Sequence, residues 1–345
     1  LFVYVGSVTE GEVKGKGITV FRVDGEGNFN EIQSIRVEKN PGYQALGKDG
    51  KYLYSVHGDF NKVSSYTIGE DGKLTHLNTI EIGGDNPVHI SVRPDGRFLA
   101  TACFNSGHIT ICEINEDGSL KGVVHEVVAE GRDENSHSFA HQAYWDKTGR
   151  YLFVPAQNRE EGYGQIGVYT LSGDGKDFEK VFVYKSREWD EPRHIVIHPN
   201  NRYVYLANEK GNTVTFLQFD ENDGSLEALQ YLPTLPETFT GESKAGAIDI
   251  SKKGEYVLVT NRFHDSVAVF KADKNTGYLK YMYTVPCGGE IPRYAGFTPD
   301  GKKFYCASWK SNNITEFTFD EEKGILLPTG REIKINMPYC MTFLG

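Results

Sequence analysis

The sequence predicts an all-β fold. The expected architecture is a seven-bladed β-propeller with four antiparallel strands per blade, the ring closed by N- and C-terminal strands in one blade. Three observations predict it. A turn built on Gly or Asn, followed by an aromatic-rich β run, occurs at Gly50, Gly96, Gly149, Asn201, Gly254 and Gly301. Successive turns lie 46 to 53 residues apart, a period that with strands alone marks propeller blades. The two ends of the chain each resemble part of one more copy.

The copies share their chemistry. The first reads Lys48-Asp49-Gly50-Lys51-Tyr52-Leu53-Tyr54, the second Pro94-Asp95-Gly96-Arg97-Phe98-Leu99, and the fourth Pro199-Asn200-Asn201-Arg202-Tyr203-Val204-Tyr205. Asp-Gly and Asn-Asn accept the positive φ that a tight hairpin requires. The flanking runs, such as Ile90-Ser91-Val92 and Phe98-Leu99-Ala100, are β-branched or aromatic. A third run follows, as in Thr213-Val214-Thr215-Phe216, then a second turn such as Asn222-Asp223-Gly224, then a more polar fourth run. Leu1 to Val5 reads as a second strand without its turn, and 17–21 and 29–32 as the third and fourth strands of that unit. Residues 338–343 supply the missing innermost strand. Pairing them with residues 1–5 closes the ring and leaves no free edge there. The whole chain, 1–345, is expected to form one propeller domain.

Composition agrees. The chain is 39% hydrophobic and 12% aromatic, enough for an extensive core, and its 38 glycines supply turns. A net charge of −10 argues against a nucleic-acid surface and against an acidic membrane as partners. No apolar stretch approaches the roughly 20 residues of a membrane span. No signal-peptide pattern is visible, so a cytoplasmic location is expected. Cys103, Cys112, Cys287, Cys306 and Cys340 are odd in number and lack a CxxC pair, which suits buried, reduced thiols. No HExxH, zinc spacing, EF-hand loop, GxGxxG or GxSxG motif is present. Neither a metal nor a cofactor is expected, and Asp220 to Gly224 reads as a hairpin turn.

In a propeller, the connections entering the innermost strands and those leaving the second strands share one rim. On the entering side the sequence places His89, His141, Arg193, His194 and Arg293. On the leaving side it places His57, Asn105, Gln157, Asn158, Asn208, Glu209, Asn261, Arg262 and Lys310. Residues far apart in the chain therefore converge on one cationic mouth in an acidic protein, which predicts a small anionic ligand. Each has an ordinary structural role available: two arginines around one carboxylate also form an ion-pair network, and Arg262 has Asp265 nearby. His198, beside a turn, belongs to the opposite rim. The longer connections 130–139 and 233–245 lie where a specificity loop would sit.

The chain resembles the seven-bladed propeller lactonases, which include propeller-type 6-phosphogluconolactonases and carboxy-cis,cis-muconate cyclases. The resemblance spans essentially the whole length. It rests on Ala140-His141-Gln142-Ala143, Glu191-Pro192-Arg193-His194, Leu206-Ala207-Asn208-Glu209, Thr260-Asn261-Arg262 and Ile291-Pro292-Arg293. It implies His141, Glu209, Arg193 and Arg262 as the catalytic set. Arg293, His89, Asn208, Asn261 and His57 are expected to help bind substrate. It implies hydrolysis of a sugar-acid lactone, 6-phosphogluconolactone first. Glu209 or His141 would take a proton from water, and the arginines would stabilise the oxyanion and grip a carboxylate or phosphate. A muconate-type cycloisomerase or a non-catalytic binding propeller fits the same framework, since fold does not fix function.

Overall fold

The computed structural model describes residues 1–159 and 163–345. Its strands form seven antiparallel sheets whose innermost strands pack side by side around one axis. In chain order these innermost strands are Pro41–Leu46, Pro87–Val92, the pair Phe139–Ala140 and Tyr144–Trp145, Pro192–Ile197, Lys244–Ile250, Pro292–Phe297 and Pro338–Leu344. They head blades 1 to 6 and the closing blade. Among the described residues the only helical element is a short 3-10 turn at Lys48–Gly50.

The expected closure is present. Pro338–Leu344 pairs antiparallel with Phe2–Ser7, from Phe2 opposite Leu344 to Ser7 opposite Pro338. Ile18–Val23 and Phe29–Ile35 complete that blade. The repeated turns adopt the predicted left-handed backbone: Gly50, Gly96, Gly149, Asn201, Gly254 and Gly301 all have φ between 59° and 82°.

Blade 3 departs from the repeat. Its innermost strand breaks at 141–143. The gap faces Pro155 in the second strand: His141 donates its N–H to the Pro155 carbonyl at 2.9 Å. Proline has no N–H to return, so the ladder lapses there and His141 is released from regular pairing.

Neighbouring blades are joined through the aromatic residue of each copy. Tyr52, Phe98, Tyr151 and Tyr256 each sit against the second-turn glycine of the next blade, and Phe2 does the same from the closing blade. A Cβ on Gly118 would lie 2.1 Å from Tyr52, and that glycine has φ 83°. Both the backbone and the neighbour therefore demand glycine. Deeper in the same strands, buried tyrosines donate across the junction: Tyr4 to the Gly72 carbonyl, Tyr54 to Gly118 and Tyr205 to Gly277. All five cysteines are free and buried.

Deleting residues 338–345 would expose the inner edge of Phe2–Ser7 and discard buried Cys340 and Met341. Each buried apolar side chain is worth about 1.5–3 kcal/mol, and about 1 kcal/mol moves the melting midpoint 2–4 °C in a chain of 150 residues or more. The truncated protein is expected to melt on the order of 10 °C lower by calorimetry. Unchanged melting would show that the ring does not depend on this closure.

Candidate active site

One backbone device recurs at the mouth. A residue in the left-handed region precedes a proline at Asn40-Pro41, Asn86-Pro87, Glu191-Pro192, Ile291-Pro292 and Met337-Pro338. The strand register then shifts, between Pro41 and Tyr43, Pro87 and His89, Pro192 and His194, and Pro292 and Tyr294. Such bulges re-aim side chains. Arg193 and Arg293 occupy the extra position in blades 4 and 6. The loop leaving the second strand is tied to the same device: Glu209 donates its backbone N–H to the Glu191 carbonyl at 2.8 Å, and Trp309 to Ile291 at 3.0 Å. Entering and leaving segments are thus held as one unit.

Glu209 is the hub. Its Oε2 lies 2.9 Å from Arg262 Nη2 and 3.2 Å from Arg193 Nε, and accepts from Gln157 Nε2 at 3.1 Å. Its Oε1 faces Arg159 Nη2 at 3.6 Å. Arg159 also reaches Glu191 Oε2 at 3.9 Å. Arg193 Nη1 donates to His194 Nδ1 at 3.3 Å, and Arg262 Nη2 to the Ala245 carbonyl at 3.2 Å. Three guanidiniums surround one buried carboxylate, so the cluster carries surplus positive charge. Buried polar atoms without partners gather here: His141 Nδ1, His194 Nε2, Gln157 Oε1, Arg262 Nε and Glu191 Oε2. Each such atom costs about 1–3 kcal/mol, a cost that a polar ligand relieves.

The electrostatics follow. Burial works to raise the Glu209 pKa, but Arg262 and Arg193, with His141 and Arg159, outweigh it and hold the carboxyl well below the usual range. Burial, then Arg262, bring Arg193 down to about 9, still charged at neutral pH. Burial, then Arg193, hold His141 well below an ordinary imidazole, so the ring is neutral. Glu191 moves the other way: burial raises it, against the pull of Arg159.

The structure brings together His141, Arg193, Glu209 and Arg262. The rings of His141 and His194 are 5.0 Å apart, and the cluster is linked to His141 by charge as well as proximity. Arg293 stands beside it, donating to the Tyr339 hydroxyl at 2.7 Å and covering the Trp309 ring at 5.2 Å. His89 lies deeper, in a channel cavity of about 120 Å³ with Tyr43, His194, Asp249 and Tyr294. Its Nδ1 accepts from the Ala143 N–H, and its ring packs on Tyr43 at 4.3 Å.

Three expected binding residues make their hydrogen bonds away from the Glu209 cluster, though Asn208 Oδ1 is left without a partner. His57 is fully buried, with Nδ1 on the Lys39 carbonyl and Nε2 on Ser64 Oγ. Asn208 donates to Thr213 and Thr215 within its own blade. Asn261 is saturated by Thr234 and Ser266. His57 and Asn208 end their second strands and Asn261 is the last residue but one of its own, while the next residue, Glu209 or Arg262, turns to the mouth. His198 lies at a turn, as expected, accepting from the Asn200 N–H. Arg159 and Glu191 were not anticipated. Glu191 was signalled by its place before Pro192 in the recurring X-Pro pair; Arg159 lies two residues beyond Gln157 in a loop with no repeat counterpart.

Fold and site together define a seven-bladed propeller with a buried, arginine-rich polar cluster at one mouth. The chain belongs to the lactonase family of seven-bladed β-propellers, whose family model matches residues 2–343. A 6-phosphogluconolactonase of Bacillus subtilis is 31% identical over 99% of this chain and 97% of its own length. A putative 6-phosphogluconolactonase of Bacteroides fragilis superposes with TM-score 0.87 at 27% identity, covering 100% of this chain and 98% of that one. A periplasmic gluconolactonase of Pseudomonas aeruginosa shares the fold, with TM-score 0.90 at 24% identity over 100% and 99% of the two chains.

The buried neutral imidazoles give a signed pH dependence. Burial lowers His57 to about 4 and His89 to about 3, and His141 and His194 well below the ordinary value. Unfolded, each titrates near ~6.5. Their contribution is complete above that pH and is lost as pH falls toward the folded values. Each removes roughly 1.4 kcal/mol per pH unit in that window. Asp249, raised by burial to about 6, acts oppositely, as do Asp190 and Glu191, also raised by burial, but these are three carboxyls against five imidazoles once His198, also lowered by burial, is included. Denaturant unfolding from pH 6.5 to 4.5 is expected to show steeply falling stability, less steep in His89→Gln. Flat stability over that range would refute the neutral assignment.

Proposed function

We propose that the protein opens a sugar-acid lactone by hydrolysis, with 6-phosphogluconolactone the first candidate substrate. The observation that carries the chemistry is the Glu209 cluster: surplus guanidinium charge beside a neutral histidine with an open ring nitrogen. Its closeness to the Bacillus subtilis relative supports the substrate. We place the protein in the cytoplasm, which its five free, buried thiols suit; no helix among the described residues is long and apolar enough to cross a membrane.

Water attacks the lactone carbonyl carbon and gives its proton to His141. The carbonyl oxygen becomes an oxyanion facing Arg193 and Arg262, whose fixed charge is worth most in a dry site. The ring C–O bond then breaks, and His141 returns the proton to the departing ring oxygen. The products are a carboxylate and a hydroxyl, with one proton released. Glu209 is poorly suited as the base because its Oε2 already accepts from Gln157 and lies against the Arg262 and Arg193 guanidiniums. It instead holds the arginines and stabilises the transient imidazolium, because its charge raises the His141 pKa. The reaction is redox-neutral and calls for no electron carrier.

His141→Ala is expected to lower kcat about 10²–10⁴-fold with a smaller change in KM. Glu209→Gln leaves buried guanidiniums uncompensated. It is expected to cost up to about 3–5 kcal/mol of stability and to raise KM as well as lower kcat. Stopped-flow or pH-stat assay over phosphorylated and plain aldonolactones tests both. No turnover of any lactone by wild type, or full activity in His141→Ala, would reject this reading.

A further inference from the structure

Beside the Glu209 cluster the mouth opens laterally into a second space. It is a cleft of about 390 Å³ lined by Arg132, Arg159, Trp189, Glu191, Lys210 and Lys244. These residues come from the rim connections of blades 3 and 4 and the entrance to blade 5. The two longer connections noted in the sequence each supply a cation, Arg132 from 130–139 and Lys244 from 233–245.

Several independent features mark the cleft as built. Four of its six lining residues are cationic. Among the described residues, neither Lys210 nor Lys244 lies within ion-pair distance of a carboxylate, whereas Arg132 pairs with Glu188. The Lys210 ammonium is held 4.2 Å from the Trp189 ring centroid, a cation–π contact that positions it without neutralising it. Arg159 and Trp189, outside the recurring X-Pro device, carry positive φ, at 43° and 71°. Such backbone is costly and gathers at functional sites. Trp189 remains 51% exposed, a large flat apolar face. Glu191 Oε2 is buried without a hydrogen-bond partner. Arg159 joins the cleft to the reaction centre, touching Glu191 on one side and Glu209 on the other.

This set suits a phosphorylated sugar. A carboxylate accepts from hydroxyls, an indole face covers the apolar side of a carbon chain, and clustered ammonium and guanidinium groups take a phosphate dianion. We propose that the cleft is a phosphate subsite, in which Lys210 and Lys244 hold the phosphate of a phosphorylated sugar-acid lactone whose carbonyl faces Arg193 and Arg262. The proposal rests on the hydrolase reading and deepens it, since it locates the choice between phosphorylated and plain lactones.

The test compares wild type with the Lys210→Ala/Lys244→Ala double variant. Lys210 is exposed and Lys244 half-buried, so folding is expected to survive, and Lys244→Gln with Lys210→Gln is the conservative control. Calorimetry measures 6-phosphogluconate and gluconate binding, and the lactonase assay gives kcat/KM for the two corresponding lactones. Wild type is expected to favour the phosphorylated compound in each pair. In the double variant that preference should fall roughly 10- to 100-fold, the worth of charge-assisted contacts to one group. Equal binding of 6-phosphogluconate and gluconate by wild type, or an unchanged preference in the variant, overturns the subsite. So does an equal loss on both ligands, which would indicate a general field. A protein that turns over no lactone yet loses 6-phosphogluconate binding in the variant would sink the hydrolase reading and keep the cleft. One that opens lactones with unaltered preference would do the reverse.

Discussion

Everything at the mouth depends on a closed ring. A propeller blade alone has an exposed inner edge, and only closure makes seven inner strands share an axis. Here closure is a strand exchange between chain ends, Pro338–Leu344 against Phe2–Ser7. The ring's circumference is then set by contacts between blades, where an aromatic side chain of one blade seats on a turn glycine of the next. Because those contacts repeat, the strand entrances come to equal depth. His141 from blade 3 and Arg262 from blade 5 are thereby brought to Arg193 and Glu209, which flank one hairpin of blade 4. No local segment of this chain could assemble that group.

The cluster is expensive to bury and incompletely neutralised. A carboxylate and two guanidiniums, Arg193 and Arg262, leave water together, with half-buried Arg159 at their edge, and the desolvation of such ions often exceeds their mutual attraction. Hydrogen bonds from Gln157 and to the Ala245 carbonyl recover part of that. The surplus positive charge and the unpartnered ring and guanidinium nitrogens are not recovered within the protein. A core optimised for stability alone would fill this volume with apolar side chains. Retaining unmatched donors around a rigid hub is the arrangement expected where binding energy is reserved for an anion that forms or arrives during reaction.

The repeat was legible because its chemistry is local. Asp-Gly turns, aromatic runs and the split seventh unit are each written within about ten residues, and the backbone at Gly96 or Asn201 obeys the turn alone. The mouth was legible by position but not by facing. His57, Asn208 and Asn261 sit one residue before Glu209 and its equivalents, and in a strand one residue reverses the face. Side-chain type hid this, since Asn and His serve equally as blade fasteners and as ligands. The bulge after each X-Pro pair was also legible in principle, in Asn40-Pro41, Asn86-Pro87, Glu191-Pro192, Ile291-Pro292 and Met337-Pro338. Arg159 was not: its loop breaks the repeat, and only the fold carries it to Glu209.

Glu191 and Glu209 divide the work between two carboxylates. Both are buried and both touch Arg159, yet their environments push them apart. Glu209 has Arg193 and Arg262 in contact and is locked as an anion. Glu191 has the weaker pull of Arg159 at 3.9 Å, and burial prevails. Opposed shifts in neighbouring acids commonly signal different roles. The locked one lies among the guanidiniums and holds them in place. The other lines the lateral cleft, and its buried Oε2 has no hydrogen-bond partner within the protein. Arg159 stands between the two, 3.6 Å from Glu209 Oε1 and 3.9 Å from Glu191 Oε2, so the hub and the lateral cleft share one guanidinium.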